Sequence, residues 1–239
     1  MQLTAESIRA RLRPLPPDVP KDYLRRVRDR KIPYALERAL IHDKLIIVDP
    51  FPSEEQLARR FGPVTLDFPL GNEIEIPRIP LQVSIIDGKR VIRRYTYDER
   101  RENMYCSMEN EMGTWPVPRE RSPTRMRLTL TDDDTYELTS NTILIGYTKE
   151  IICLPVDLVG HVNGKSRHAR RGFKNHMTAP RFDPGFIGFA ALEMSTEDSS
   201  ENINIYPGMI IAAFEFIELD KPAATPYFKK IAPQFLGQS

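Results

Sequence analysis

Apolar residues recur along this chain with two different periods, and the change between them divides the sequence. From Lys21 to Leu45 the residues Leu24, Val27, Ile32, Leu36 and Leu40 follow a roughly helical spacing, which predicts one or two short helices leading into the body. After Phe61 the pattern shortens to apolar alternations broken by Pro, Gly and Asp, at Pro63 to Leu70, Glu73 to Ile76 and Leu81 to Ile86. That is the pattern of strands in a sandwich or barrel. Thr142 to Thr148 and Ile151 to Leu154 read as paired strands, Phe186 to Met194 alternates, and Ile203–Ile205 and Met209–Leu219 flank a Tyr206-Pro207-Gly208 turn. Residues 88–127, which hold the only tryptophan, Trp115, have little period and read as an excursion or long loop. The Pro-rich tail from Lys221 to Ser239 reads as an irregular C-terminal arm.

Composition narrows the class. At 239 residues and 41% hydrophobic content the chain can bury a full core, and one domain plus extensions is the expectation. The 34 basic and 33 acidic residues nearly cancel, so no global field points to nucleic acid or a membrane as partner, and any anion site is local. Residues 1–40 differ, with ten Lys or Arg against five Asp or Glu and prolines at 14, 16, 17 and 20; residues 1–31 are expected to form a basic, partly helical extension to a β domain over 32–239. The apolar runs are too short to span a bilayer and the N-terminus lacks the apolar stretch of a secretory signal, so a cytoplasmic protein is expected. Two cysteines, Cys106 in a loop-like segment and Cys153 at a buried strand end, predict no disulfide. A zinc deaminase would need a Pro-Cys-x-x-Cys pair with a nearby His or Cys ligand and Glu; that pair is missing from the sequence.

Chemistry concentrates between Gly160 and Glu193. Lys165, Arg167, Arg170, Arg171 and Lys174 fall within ten residues that contain no carboxylate, beside Gly164 and Ser166, a composition suited to a phosphate chain. A solvated basic turn is the commoner fate of such a run. Gly164-Lys165-Ser166 resembles the end of a phosphate-binding P-loop, but Val159 stands where the first glycine belongs, and the β pattern offers no alternating helices. Downstream, Asp183-Pro184-Gly185 is a turn signal, and the strand after it places Glu193 on one face with Ala191 and Phe189. A carboxylate so placed either pairs with a cation or shuttles protons; on the strand alone the ion pair is the commoner outcome.

Taken together, these residues resemble the dCTP deaminase family, whose motif runs G-R-S-S-L-A-R-x-G, then H-V-T-A-x-x-I-D-P-G-[WF]-x-G, then L-E. Here the segments are GKSRHARRG over 164–172, HMTAPRFDPGFIG over 176–188, and Leu192-Glu193, with the spacing kept. The likeness extends to Gly62–Asn72, Leu154–Gly160, Tyr206–Met209 and Pro222–Tyr227, and so covers roughly residues 32 to 239. It implies a mostly β fold, a distorted β-barrel or jelly roll of dUTPase type, assembled as a homotrimer with active sites between subunits. It implies hydrolytic deamination of a deoxycytidine nucleotide, dCTP first, without zinc, and with magnesium carried on the substrate's triphosphate. Glu193 would be the general base, Arg170 would hold it and stabilise charge, and Ser166 with the carbonyl of Ala179 would position the water or the base. Asp183 would face the deoxyribose. Lys165, Ser166, Tyr227 and Gln238 would meet phosphates, and Phe186 would line the substrate site. The chain departs from the pattern at Arg167, where the family has a second serine, and at Gln234 in the C-terminal arm, where it has a lysine; Arg167 is expected to supply the missing cation. Two other readings use the same parts: a dUTPase or bifunctional deaminase and dUTPase, and a nucleotide-binding regulator that has lost turnover.

Overall fold

The computed structural model of this chain describes residues 1–77, 81–94, 125–140, 142–197 and 203–230. The fold is mostly β. Four short helices and two strands come first: α1 (Ala5–Arg11), β1 (Leu12–Pro14), α2 (Tyr23–Arg28), α3 (Tyr34–Ile41), β2 (Ile46–Asp49) and α4 (Glu54–Arg60). The ends of these helices are written in the sequence. Thr4 caps α1 by accepting from Ser7 N, and Ser53 and Gln56 form a reciprocal capping box on α4. The predicted helical period over 21–45 appears as α2 and α3, with Val27, Leu36 and Leu40 buried.

Long strands follow: β3 (Leu66–Pro77), β4 (Leu81–Ile86), β5 (Lys89–Arg94), β6 (Arg125–Thr129), β7 (Asp134–Leu138), β8 (Leu144–Cys153) and β9 (Leu158–Asn163). The single-turn helix α5 (Ser166–Ala169), β10 (Phe173–Lys174), β11 (Arg181–Phe182), β12 (Ile187–Thr196), β13 (Ile203–Ile205) and β14 (Ile210–Glu218) complete the order. Among the described residues these strands form a ten-stranded sheet with the path β1-β2-β8-β3-β14-β9-β11, onto which β12, β10 and β6 pair, and a four-stranded sheet β13-β7-β5-β4. No strand pairing between β1 and β11 closes the larger sheet, so a closed barrel is not found among them.

One hydrophobic core joins the two sheets. Leu70, Ile74, Leu144, Leu192 and Met194 from the large sheet share it with Ile92, Tyr136, Leu138, Ile203 and Ile205 from the small one. Each such side chain, fully removed from water, contributes about 1.5–3 kcal/mol before its ordering cost is counted. A second cluster lies under the helices, where Val27, Leu36 and Leu40 pack on Ile47, Cys153, Ile187 and Phe228. No helix among the described residues is long and apolar enough to cross a membrane.

Two expectations change. Residues 1–14, read as part of an extension, are built into the body: Leu3, Ile8 and Leu12 are buried in the main core, Leu3 N donates to Phe216 O, and β1 runs parallel to β2. Their basic charge is also used internally, since Arg11 pairs with the buried Asp157 at 2.5 Å. The segments 142–148 and 151–154 are not two paired strands but parts of one, β8, because Lys149-Glu150 is no turn. Lys149 is exposed, and Glu150 points inward to Arg60 at 2.8 Å, letting the strand run on and pair with β2 and β3 at different points. The Tyr206-Pro207-Gly208 turn forms, with Met209 N donating to Tyr206 O at 3.2 Å; it docks on Leu70, whose N–H donates to Met209 O, and sends β13 and β14 into different sheets. Most of the predicted 88–127 excursion, with Trp115 and Cys106, lies outside the described residues.

Candidate active site

Glu193 projects from β12, a strand whose burial alternates so that Phe189, Ala191 and Glu193 share the half-buried face while Ala190, Leu192 and Met194 face the core. In the register of the sheet Glu193 lies opposite Ile145 of β8, which lies opposite Glu75 of β3. The two glutamates therefore stand on one row and are treated differently. Glu75 accepts from the Tyr147 hydroxyl at 2.7 Å and pairs with Arg127 at 3.4 Å. Burial and that carboxylate push the Tyr147 phenol up to about 12. Glu193 has no cation partner among the described residues; its Oε2 accepts one hydrogen bond, from the backbone N–H of Met177 at 3.1 Å. One carboxylate is charge-paired within a structural network, and the other is oriented by an amide without a cation beside it.

The loop that supplies Met177 also brings His176, and β9 brings His161 close to it. Burial holds the His176 imidazole below its ordinary range, the nearby His161 lowers it further, and the Glu193 carboxylate partly offsets both. The Nδ1 atoms of His161 and His176 are buried without a hydrogen-bond partner. The His176 imidazole is thus held in its neutral form beside Glu193 at neutral pH. His176 was visible in the sequence only as part of a motif, and His161 carried no signal at all.

The basic segment forms a rim. Lys165 precedes α5 and its ammonium meets the buried Asp67 of β3 at 2.5 Å. Asp67 keeps its other oxygen, Oδ1, buried and unpartnered, so the pair pins the loop to the sheet. Ser166 and Arg170 are exposed at the two ends of the helical turn, and Ala179 is exposed in the loop beyond. Arg167 reaches the Ile210 carbonyl at 3.4 Å and the His168 ring at 3.1 Å. Burial lowers the His168 imidazole, the Ile210 carbonyl opposes this, and the surrounding Arg167, Arg171 and Lys165 charges lower it again. Lys174 is paired with Glu197. Arg170 makes no ion pair among the described residues, so the chain does not bring it onto its own Glu193.

Asp183 opens the predicted turn, with Phe186 N donating to Asp183 O at 3.0 Å. Gly185 adopts φ +81°, and a Cβ there would sit 2.7 Å from Pro226 Cβ. The C-terminal segment packs on this turn: Tyr227 N donates to Pro184 O, and the Tyr227 ring lies 6.0 Å from that of Phe186. Phe186 is buried and packs edge-on against Phe182, so its ring serves the core under the turn. Asp183 pairs with Arg181 and with Lys230, a residue that sequence reasoning passed over because its only mark was a place in the tail. Gln238 lies outside the described residues.

Known proteins are similar over most of this region. A protein of Dictyoglomus thermophilum named dCTP deaminase, dUMP-forming, is 33% identical over 161 residues, covering 64% of this chain and 80% of that protein. One of Thermomicrobium roseum named dCTP deaminase is 36% identical over 107 residues, covering 45% of this chain and 54% of that one. A solved 2'-deoxycytidine 5'-triphosphate deaminase from Agrobacterium tumefaciens aligns over 73% of this chain and 43% of its own at 18% identity, with a TM-score of 0.44. Residues 35–219, which carry the sheet, the Glu193 strand and the basic rim, match the family described as dCTP deaminase-like, and the chain belongs to that family.

Proposed function

We propose that this protein deaminates dCTP hydrolytically, with Glu193 as the proton-transferring group and no metal at the reacting carbon. The observation that carries the reading is the contrast on one sheet row. Glu75 is hydrogen-bonded to Tyr147 and charge-paired with Arg127, whereas Glu193 is oriented by an amide and has no cation partner among the described residues. A carboxylate in that condition can take a proton from a water placed against C4 of the cytosine as the C–O bond forms. That proton goes to N3 of the ring; the proton left on the added hydroxyl then passes through the same carboxylate to the exocyclic nitrogen as the C4–N bond breaks, and ammonia leaves a uracil with its C4 carbonyl and N3–H. Water and dCTP balance dUTP and ammonia.

The remaining residues supply position and charge. Ser166 and the carbonyl of Ala179 hold the water, Asp183 meets the deoxyribose, and Lys165, Arg167, Tyr227 and Gln238 meet the phosphates; Phe186 supports the turn beneath the sugar. Magnesium would be held through the nucleotide's own phosphate oxygens. Arg170, exposed and without an ion pair among the described residues, serves the Glu193 of a neighbouring copy in a homotrimer.

A second activity is favoured by one finding: a relative matched along 80% of its length is named dUMP-forming. In that reading the dUTP formed is cleaved by a second water to dUMP and pyrophosphate in the same site. Incubating EDTA-treated protein, with magnesium restored, separately with dCTP, dCMP and dUTP distinguishes these. Ammonia from dCTP that Glu193→Gln abolishes supports deamination, and pyrophosphate alongside it makes the enzyme bifunctional. Absence of ammonia from any cytosine nucleotide overturns the proposal, and undiminished ammonia release by Glu193→Gln removes Glu193 from it.

A further inference from the structure

Asp183 is held from two sides. Arg181 Nε lies 3.2 Å from Oδ1, and Lys230 Nζ lies 2.6 Å from Oδ2. The two cations are not equivalent, because the Arg181 side chain is 70% exposed and that of Lys230 44%. Lys230 is also placed by the fold. It follows the 3₁₀ turn Tyr227–Lys229, which is anchored by the buried Phe228, by Tyr227 N donating to Pro184 O at 2.7 Å, and by an ion pair from Lys229 to Glu37 at 3.3 Å. Gly185 leaves no room for a side chain beneath Pro226 and Phe228, so the segment sits directly on the turn that carries Asp183. The Lys230 ammonium also lies 5.0 Å from the centre of the Tyr227 ring.

A bare carboxylate beside a triphosphate repels it, and a mobile one makes a poor acceptor for one particular hydroxyl. A carboxylate has about four lone-pair directions, and two salt-bridge partners leave acceptor capacity unspent. We propose that Lys230 is a positioning and specificity-determining residue of the nucleotide site: it fixes and neutralises Asp183 so that this carboxylate accepts a hydrogen bond from the sugar without repelling the phosphates. The inference rests on the reading of Asp183 as the residue on the deoxyribose side. It assigns to the C-terminal segment a function before any residue of the arm beyond it is involved.

Two neutral variants, Lys230→Gln and Lys230→Ala, and the charge-keeping Lys230→Arg test it in the full-length protein. Both neutral variants are expected to weaken magnesium-dCTP binding by about tenfold, with a smaller loss for dCMP and kcat within about twofold of wild type, because the effect is electrostatic and lies away from C4. Lys230→Arg is expected to restore affinity to within about threefold. Unchanged dCTP affinity in both neutral variants overturns the inference, as does an equal loss for dCTP and dCMP, or a loss that Lys230→Arg does not rescue. Binding is read by calorimetry and turnover by ammonia, so the two readings fail separately. A wild-type protein that binds dCTP without releasing ammonia sinks the deaminase proposal and leaves this test in force; one that does not bind dCTP overturns both.

Discussion

The Met177 amide donates to Glu193 Oε2 across 3.1 Å, and this one bond ties the loop after the basic rim to the strand that carries the carboxylate. A backbone donor orients without neutralising: it holds one oxygen and leaves the charge in place. The geometry is also specific to a side chain of glutamate length, since β12 and the loop are each fixed by their own contacts.

Glu193→Asp therefore retains a carboxylate and misplaces it. Withdrawal by one methylene is expected to lower kcat for dCTP deamination by about 10²-fold, the scale of a 1 Å error at a reacting centre, while dCTP binding changes little. Steady-state ammonia release with parallel binding measurements checks this. Near-normal kcat in the aspartate variant would show that the Met177 contact does not set the working geometry.

The smaller sheet has its own fastening. Arg90 of β5 and Asp134 of β7 face each other in register and make a bidentate pair, Nε to Oδ1 at 2.7 Å and a terminal nitrogen to Oδ2 at 2.6 Å, while Thr131 N donates to Oδ2 at 2.8 Å. The Arg90 hydrogen bonds hold the Asp134 carboxyl below the usual range; burial opposes this, and the Thr131 amide lowers it again. A depressed carboxyl contributes stability above its unfolded value, near 3.8, and loses it as pH falls through the lower folded value. Asp134→Asn is expected to cost about 1 kcal/mol at pH 7, with Arg90 partly exposed and screened. The gap between the two proteins should narrow as pH falls below 3.8. Denaturant unfolding across that range checks it, and a gap that widens in acid would contradict the assignment.

The sequence carried the strands better than their partners. The alternation over Phe186 to Met194 put Glu193 on a face with Ala191 and Phe189, and that is how β12 lies, because period-2 burial is local. The prolines and charges of residues 1–14 read as a solvated arm; what decides their place is β1 pairing with β2 and Arg11 meeting Asp157, contacts with residues far along the chain. The same holds in the site. A run of five cations was legible, but not that Lys165 is bound to Asp67 across 98 residues, or Asp183 to Lys230 across 47. Ion-pair partners leave no periodic trace, and one sequence offers many equal candidates.

Gly185→Ala probes how far the C-terminal segment depends on the turn. The backbone there has φ +81°, which costs an L-residue about 1–2 kcal/mol, and the new methyl would lie 2.7 Å from Pro226 Cβ and 2.9 Å from Phe228. Pro226 must shift, and Tyr227 and Lys230 with it. The expected result is a lowered thermal midpoint together with a raised KM for dCTP; a variant with both unchanged would mean that the segment does not need this seat.

Arg170 and Glu193 give the sharpest test of assembly, because each is dispensable in a different way if the site lies between copies. Neither Arg170→Ala nor Glu193→Gln homotrimers contain an intact site. In a cyclic trimer each interface takes the arginine from one copy and the glutamate from the next. Random 1:1 assembly of the two variants then gives any site an intact pair with a probability of about one quarter, so co-refolding should restore about 25% of wild-type ammonia release from two inactive parents. If one chain supplies both residues to its own site, no combination of the two variants rebuilds the pair, and the mixture stays as inactive as its components. Recovery near one quarter, with sedimentation reporting three chains, establishes both the trimer and that Arg170 reaches into a neighbouring copy's site.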